Sequence, residues 1–338
     1  MSTIPDDKLF EHATRLEGKV VVITGAANGI GKEAAARFAS FGAKVVVGDL
    51  DVAGAENIVQ EIKSAGGQAV FSKCDVTVWE DQVTLFELAI KTFGSVDVVV
   101  PNAGVAEIGS FETVQFVDGK PVKPNTKTIE VNLLGTLYTT HLALHYLELN
   151  RVPGTLKSVV LLGSMASWAG IPQGSLYAAS KHAVLGLMRS LYPGFAARDI
   201  RIATVHPFFA DTAIVPVVAK LFLAGIPLTT VPRIAGAIVY AATNPDPETS
   251  GCAWLLTDNG PVFMVPKEEF KMGVYKMIDE RANALLKGAS GIAYYARLTR
   301  DLFRILGKPV LVAGIGAGVA KLVWDHWDVV LGYFPDAS

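Results

Sequence analysis

Residues Lys19 to Thr24, Lys-Val-Val-Val-Ile-Thr, run without a break into Gly25-Ala26-Ala27-Asn28-Gly29-Ile30-Gly31 and then into a helical pattern from Lys32 to Phe41. A short, continuously apolar, β-branched run reads as a strand buried on both faces. The glycines let the backbone turn tightly and come close to a pyrophosphate. The helix that follows offers free N–H groups and a positive dipole end to the phosphates. A glycine-rich turn can also be purely structural, but a strand before it and a helix after it is the context that phosphate binding requires.

The same alternation continues. Apolar runs at Lys44 to Gly48, before Cys74, at Val96 to Val100, Lys157 to Leu162, Ile200 to Val205 and Ala253 to Leu256 are separated by helical patterns, among them Val52 to Ala65 and Trp79 to Phe93. Strands alternating with helices imply an α/β fold, a Rossmann-type doubly wound parallel sheet of about seven strands. The chain divides on this reading into an arm at 1–15, a Rossmann-type domain at 16–260 and a helical extension at 261–338.

Ligands of such sheets lie beyond the carboxyl ends of the strands. Asp49 ends the second strand eighteen residues after Gly31. An acid at that offset accepts hydrogen bonds from the adenosine ribose hydroxyls of NAD and repels the 2'-phosphate of NADP. No Arg or Lys stands beside it in Gly48-Asp49-Leu50-Asp51, so NAD is favoured, with Asp51 a rival for the same role. The fourth strand ends in Pro101-Asn102-Ala103-Gly104, which faces the same crevice.

Tyr177 and Lys181 stand at i and i+4 in a run rich in helix formers, with Ser164 thirteen residues upstream of the tyrosine on another element. Side chains at that spacing meet on one helix face. A phenol that works as a base near neutrality needs its pKa lowered by about 2 to 3 pH units, or about 3 to 4 kcal/mol. An ammonium ~5 Å away supplies ~3 kcal/mol at an effective dielectric of ~20, so one lysine is roughly enough. The pair can therefore make a general base. Ser167 lies at the wrong separation from Tyr177 for the serine's part.

Together these residues resemble the short-chain dehydrogenase/reductase family. The likeness rests on the Thr-Gly-x-x-x-Gly-x-Gly turn (Thr24 to Gly31), Asp49, the Asp75-Val76 pair, Asn102-Ala103-Gly104, Asn132 within Val131-Asn132-Leu133-Leu134-Gly135, Ser164, and Tyr-x-x-x-Lys at Tyr177 and Lys181. It covers roughly residues 16 to 260. The resemblance implies an alcohol dehydrogenase or ketone reductase in which Tyr177 removes the hydroxyl proton and Lys181 stabilises the phenolate and holds the nicotinamide ribose. Ser164 then hydrogen-bonds the reacting oxygen, and Asn132 supports a water through which the proton leaves. It implies that Gly25, Asn28, Gly29, Ile30, Gly31, Asp49, Asp75, Val76, Asn102, Ala103, Gly104, Tyr177, Lys181, Pro207 and Thr212 contact the cofactor. It also implies that the helix bearing Tyr177 packs against a second copy, in a homodimer or homotetramer.

Departures from the family pattern are local. Gly163 stands where many relatives have a second serine, Phe208 follows Pro207 where a glycine is usual, and Pro193-Gly194 is expected to end or kink the helix that carries Tyr177. Phe116 to Asn125 reads as an additional loop near the mouth of the cleft. Ala213 to Leu228 holds one charge, Lys220, among apolar residues. In the family this stretch closes over substrate, so an apolar lid implies a lipophilic alcohol or ketone of terpenoid, steroid or fatty alcohol type; packing against protein alone is the competing reading.

Beyond Pro261 helices are expected at about Lys267 to Lys287, Ser290 to Leu306 and Val310 to Trp324. From Leu286 to Trp324 there are six basic residues and one acid, Asp301, which suits an amphipathic helix on an anionic membrane surface; packing on protein is the favoured alternative. The run Val310 to Ala320 has eleven uncharged residues, short of the ~20 that span a bilayer. Apolar residues make up 51% of the chain and mean hydropathy is +0.37, which points to buried interfaces. A net charge of −2 gives no reason to expect nucleic acid. Cys74 and Cys252 are too few for a disulfide framework, and the first eighteen residues lack an apolar signal core, so a reducing, cytoplasmic setting is expected, with peripheral membrane contact through the extension. His141 and His145 have metal-ligand spacing but no third ligand nearby, so no metal site is expected.

Overall fold

The structure is a computed structural model that describes residues 2–149, 151–210, 212, 223–258, 260–270 and isolated positions after them. The chain forms two units, Met1–Lys276 and Met277–Ser338. In the second unit the described positions 278, 300, 303, 316, 318–321 and 324–325 have helical backbone. The rest of the expected helices at 290–306 and 310–324, the basic stripe, and most of the first helix expected from Lys267 lie outside the described residues. Lys267–Phe270 itself is a short 3-10 turn. Among the described residues no helix is long and apolar enough to cross a membrane.

In the first unit, strands β1 (Ser2–Ile4), β2 (Val20–Thr24), β3 (Lys44–Asp49), β4 (Gln68–Lys73) and β5 (Val98–Val100) precede a two-stranded hairpin, β6 (Phe116–Val117) and β7 (Lys120–Pro121). After the hairpin come β8 (Ser158–Leu162), β9 (Arg201–Pro207), β10 (Ala253–Leu256) and β11 (Val262–Val265). The main sheet has nine strands in the order β1-β11-β10-β9-β8-β5-β2-β3-β4. From β10 to β4 the neighbours pair in parallel, which are the seven strands expected. The two further strands, β11 and β1, pair antiparallel at one edge. They come from the stretches set outside 16–260 by the sequence reading. Asp6 is also tied to the buried Arg233 guanidinium at 2.7 Å, and Leu9, Ala13 and Leu16 are core residues. β1 and β11 are three and four residues long. Strands that short carry almost no periodic signal.

Helices cover both faces. α1 (Gly29–Ser40), α2 (Val52–Ser64) and, on the same side, α7 (Val231–Thr243) enclose one apolar layer with Phe38, Ile58 and Ile238. α3 (Trp79–Phe93), α5 (Thr136–Tyr146) and α6 (Ser175–Ala197) enclose the other with Phe86, Leu147 and Met188. α5 is preceded by a one-turn helix α4 (Lys127–Ile129) and a π segment, Glu130–Gly135. α6 runs through Pro193 to Ala197, so the proline neither ends it nor divides it. Cys74 and Cys252 are free and buried; burial, with nearby aspartates, pushes the Cys74 thiol up to about 12.

The order of strands reverses between β2 and β5. β3 and β4 extend the sheet to one side of β2, while β8, β9 and β10 extend it beyond β5. At such a switch point two strand ends diverge and leave a crevice, which is where ligands of open α/β sheets sit.

Candidate active site

The two strand ends at the switch point are held together by Asn102. Its amide donates to the Thr24 and Gly25 carbonyls at 3.0 and 2.7 Å, and the Thr24 hydroxyl accepts from the Asn102 and Ala103 N–H groups. Gly25 has φ +67°, and a Cβ on it would lie 2.6 Å from the Ala103 Cα. A Cβ on Gly31 would lie 2.1 Å from the Gly25 carbonyl oxygen. Both glycines are therefore fixed by close backbone approach. Gly29 and Ile30 open α1, and Asn28 stands at its N-cap without bonding the helix through its side chain, so among the described residues no N-cap side chain covers the first-turn N–H groups.

Asp49 and Asp51 have different hydrogen-bond partners. Asp51 caps α2, accepting from the Gly54 N–H, and also accepts from the Asn28 amide at 3.1 Å. Asp49, at the end of β3, accepts the Ala27 N–H at 2.8 Å and the Asp51 N–H at 3.0 Å, which pins its carboxylate beside the glycine turn. Asp75 accepts from the Thr77 N–H and hydroxyl at 2.9 and 2.7 Å. Burial alone raises its pKa, but these bonds and the Lys127 and Lys73 charges outweigh it and hold the carboxyl below its ordinary range. Val76 is buried against Gly135, where any Cβ would meet its side chain at 2.6 Å.

Across the crevice, Ser164 follows β8, and Tyr177 and Lys181 lie on the first turns of α6. The Ser164 hydroxyl hydrogen-bonds the Tyr177 phenol. The Lys181 Nζ lies 5.8 Å from the centroid of the Tyr177 ring and donates to the Leu162 carbonyl at 2.9 Å. A Cβ on Gly104 would be 3.3 Å from the Asn132 Oδ1 and 3.8 Å from the Lys181 Nζ, so Gly104, Asn132 and Lys181 converge. Asn132 sits in the π segment, a register change that turns its side chain inward. Its amide bonds the Val105 N–H and carbonyl at 2.8 and 2.9 Å and the Ser180 hydroxyl at 3.3 Å.

The electrostatics differ from the sequence argument in one respect. Burial dominates at both members of the pair: it holds the Tyr177 phenol above its ordinary value, against the Ser164 bond, and brings Lys181 down to about 8. Spacing along the helix sets the attraction between the two groups, whereas the loss of water around them is set by the fold. A cation beside the phenol still favours phenolate, but it works here against a low-dielectric wall.

Pro207 ends β9, and Phe208 continues it by donating its N–H to the Leu256 carbonyl at 2.8 Å, so the residue in the usual glycine position keeps the chain in the sheet. Thr212 lies beside Gly29, and its hydroxyl is buried without a partner among the described residues. Residues 213–222 of the expected lid lie outside the described residues; of the remainder, Leu223 is buried and Ile226 exposed. His206 is buried between the Ser164 carbonyl and the Thr204 hydroxyl, and burial pulls it down to about 3, so it is neutral. Its ring occupies the space beside Gly163, where a Cβ would lie 2.4 Å away, which accounts for the glycine in place of a serine as the ring is packed. His141 and His145 contact Trp79 and Tyr146; among the described residues no three metal-ligating side chains cluster.

Two contributors escaped the sequence reading. Gln82 is buried on α3 and donates to the Val76 and Gly135 carbonyls at 2.6 and 3.0 Å, locking the π segment to the loop after β4. Glu107 accepts the backbone N–H of Tyr177 at 2.6 Å. Neither belongs to a motif, and each acts through backbone brought near only by the fold.

Residues 19–220 match the family model described as short chain dehydrogenase. The chain belongs to the short-chain dehydrogenase family. Among similar proteins of this family are 5'-hydroxyaverantin dehydrogenase of Dothistroma septosporum, 35% identical over 64% of this chain and 75% of that protein, and cyclohexanol dehydrogenase of an Acinetobacter species, 34% identical over 60% and 77%. The mitochondrial borneol dehydrogenase of Lavandula x intermedia is 34% identical over 59% of this chain and 71% of its own length. A crystal structure of 3-ketoacyl-(acyl-carrier-protein) reductase from Brucella melitensis complexed with NADH matches with a TM-score of 0.63 at 29% identity, covering 71% of this chain and 97% of that one. As a short-chain dehydrogenase the protein is an oxidoreductase of alcohols and ketones that works with a nicotinamide cofactor.

Proposed function

We propose that this short-chain dehydrogenase uses NAD to interconvert a secondary alcohol and a ketone on a lipophilic substrate. The observation that carries the reading is the meeting of Ser164, Tyr177, Lys181 and Asn132 beside a crevice whose other wall is the glycine turn with Asp49. The first-turn N–H groups of α1 would hold the pyrophosphate, Asp49 the adenosine ribose, Asp75 and Val76 the adenine side, Asn102 to Gly104 the floor, and Pro207 and the Thr212 hydroxyl the nicotinamide end. NAD supplies the hydride acceptor. Ser164 orients the substrate hydroxyl toward Tyr177, which takes its proton; Lys181 favours the phenolate and the nicotinamide ribose; Asn132 and Lys181, converging at Gly104, form the outlet through which that proton leaves by water.

Asp49 supports NAD over NADP because a carboxylate that already accepts two backbone N–H groups cannot turn away from a 2'-phosphate. Asp49→Asn keeps an acceptor and removes the charge. Its ratio of kcat/KM for NAD over NADP is expected to fall by about tenfold or more, the equivalent of ~1.4 kcal/mol. An unchanged ratio would show that Asp49 does not read the ribose.

The lipophilic substrate rests on the apolar 213–228 stretch, and the relatives named for cyclohexanol and borneol agree with it. Absorbance of NADH formed with a panel of secondary alcohols tests this; small polar sugars turned over as well as cyclic or terpenoid alcohols would contradict it. A homodimer or homotetramer is part of the same proposal, since the outer side of α6 exposes Ala179, Gly186 and Ser190, small residues that let a second helix approach closely, and a Cβ on Gly186 would meet nothing.

A further inference from the structure

α6 begins at Ser175, so the N–H groups of its first turn have no carbonyl four residues back. Its N-cap is Gly174, which has no side chain to bond them, and the first intrahelical bond is from the Ala178 N–H to the Gly174 carbonyl at 2.8 Å. Tyr177 is the third residue of this turn, the position whose N–H an N-cap Asp or Ser would ordinarily bond. Helix ends fray. The residue whose phenol must stand at the reacting oxygen is therefore placed where the helix is weakest.

Glu107 supplies the missing cap from another part of the chain. Its Oε2 accepts the Tyr177 N–H at 2.6 Å, and its Oε1 is buried with no partner among the described residues, so that one bond is its only protein hydrogen bond there. The segment that carries Glu107 is itself fixed. Val105 is held from both sides by Asn132, and the Thr128 hydroxyl accepts the Ile108 N–H at 3.0 Å and donates to the Ala106 carbonyl at 3.1 Å. A few residues on, Glu112 accepts the Ser175 hydroxyl at 2.7 Å. The Asn102 turn, Asn132 and the first turn of α6 are thus linked in one hydrogen-bonded series that ends on the backbone of Tyr177.

We propose that Glu107 is a positioning residue for the reaction: it caps the catalytic helix across the fold and fixes where the Tyr177 phenol stands. The inference rests on the proposed role of Tyr177 but is read through a separate measurement. Without the cap the first turn opens more often, the phenol spends less time at the reacting oxygen, and a misplacement of ~1 Å can cost ~100-fold in rate. The glycine turn and Asp49, proposed to hold the pyrophosphate and adenosine ribose, lie on the β2 side of the crevice and keep their own hydrogen bonds.

The test compares Glu107→Ala and Glu107→Gln with the parent in steady-state oxidation of the best alcohol of the panel, NADH binding by fluorescence, and amide hydrogen exchange of the peptide around Tyr177. E107A is expected to lower kcat about tenfold to ~100-fold with KM and NADH affinity nearly unchanged, and to raise exchange at Tyr177 but not along the rest of α6. Gln keeps an acceptor, so E107Q should recover most of both. Should E107A not fold, Glu107→Met keeps the volume without the acceptor and takes its place. An unchanged kcat and exchange in the acceptor-free variant, or E107Q as impaired as that variant, would overturn the proposal. If the parent oxidises none of the alcohols, the functional reading has failed, and the exchange comparison still decides whether Glu107 holds the turn.

Discussion

Tyr177→Phe is expected to bind NADH as the parent does and to lose alcohol oxidation by about 100-fold to 10,000-fold in kcat, the range contributed by a positioned general base. The substitution removes one oxygen. The ring that packs on the Lys181 amine remains, as do the Ser164 backbone geometry and the whole of the crevice wall around Asp49 and Asn102. A binding defect is therefore not expected. What is lost is the phenol oxygen, which bonds the Ser164 hydroxyl and on the proposed mechanism takes the proton of an alcohol held there. Stopped-flow or steady-state NADH absorbance gives the rate, and fluorescence titration the affinity. Turnover within a few fold of the parent would remove Tyr177 from the chemistry, whatever the fold.

Lys181→Met is expected to abolish useful turnover and yet to raise the stability of the ligand-free protein near neutral pH. The amine is buried, and burial brings its pKa from 10.5 to about 8. Lowering a lysine in the folded state means that the unfolded chain binds the proton more strongly, so below about pH 8 the charge costs stability in full. Between about pH 8 and 10.5 the folded lysine is neutral while the unfolded one is still charged, and stability rises with pH through that window. The shift corresponds to a cost on the order of 3 kcal/mol at neutrality, offset by ~1 kcal/mol for the bond to the Leu162 carbonyl. Met fills similar volume without the charge. A Tm a few degrees above the parent at pH 7, with the difference shrinking toward pH 10, is the expected result in calorimetry. A variant that is less stable than the parent at every pH would show that the amine stabilises the fold and that its low pKa is not a burial effect. On the proposed mechanism the cost is offset in function, because Lys181 places a cation beside the phenol and the nicotinamide ribose.

Much of this arrangement was legible in the sequence because its signals are local. A β-branched run entering a glycine turn, a tyrosine and lysine one helical turn apart, and an acid at the end of the second strand each declare themselves within a few residues. The alternation of runs gave the seven parallel strands, and the helix bounds at Trp79 and Phe93 coincide with those observed. The remainder depends on chain that meets only after folding. β1 and β11 are too short to have a period and pair with each other across nearly the whole first unit. The break expected at Pro193 is absent because tertiary packing of α6 on the sheet outweighs the loss of one helical bond. The pKa argument failed for the same reason: spacing gives the distance between two charges, whereas burial is a property of everything around them. Glu107 and Gln82 bond backbone atoms of residues 70 and 53 positions away, contacts that no pattern records.

The measurement that bears most directly on the central claim follows the hydrogen itself. The folded chain is supplied with NAD and a lipophilic secondary alcohol carrying deuterium on the carbinol carbon, and the cofactor is analysed by mass spectrometry. One deuterium on the reduced cofactor for each ketone formed, with no such product from Tyr177→Phe, is the predicted result. Bound NAD that gains no label, or product formed with no net reduction of NAD, would contradict the account and point to a binding protein or an isomerising enzyme built on the same frame.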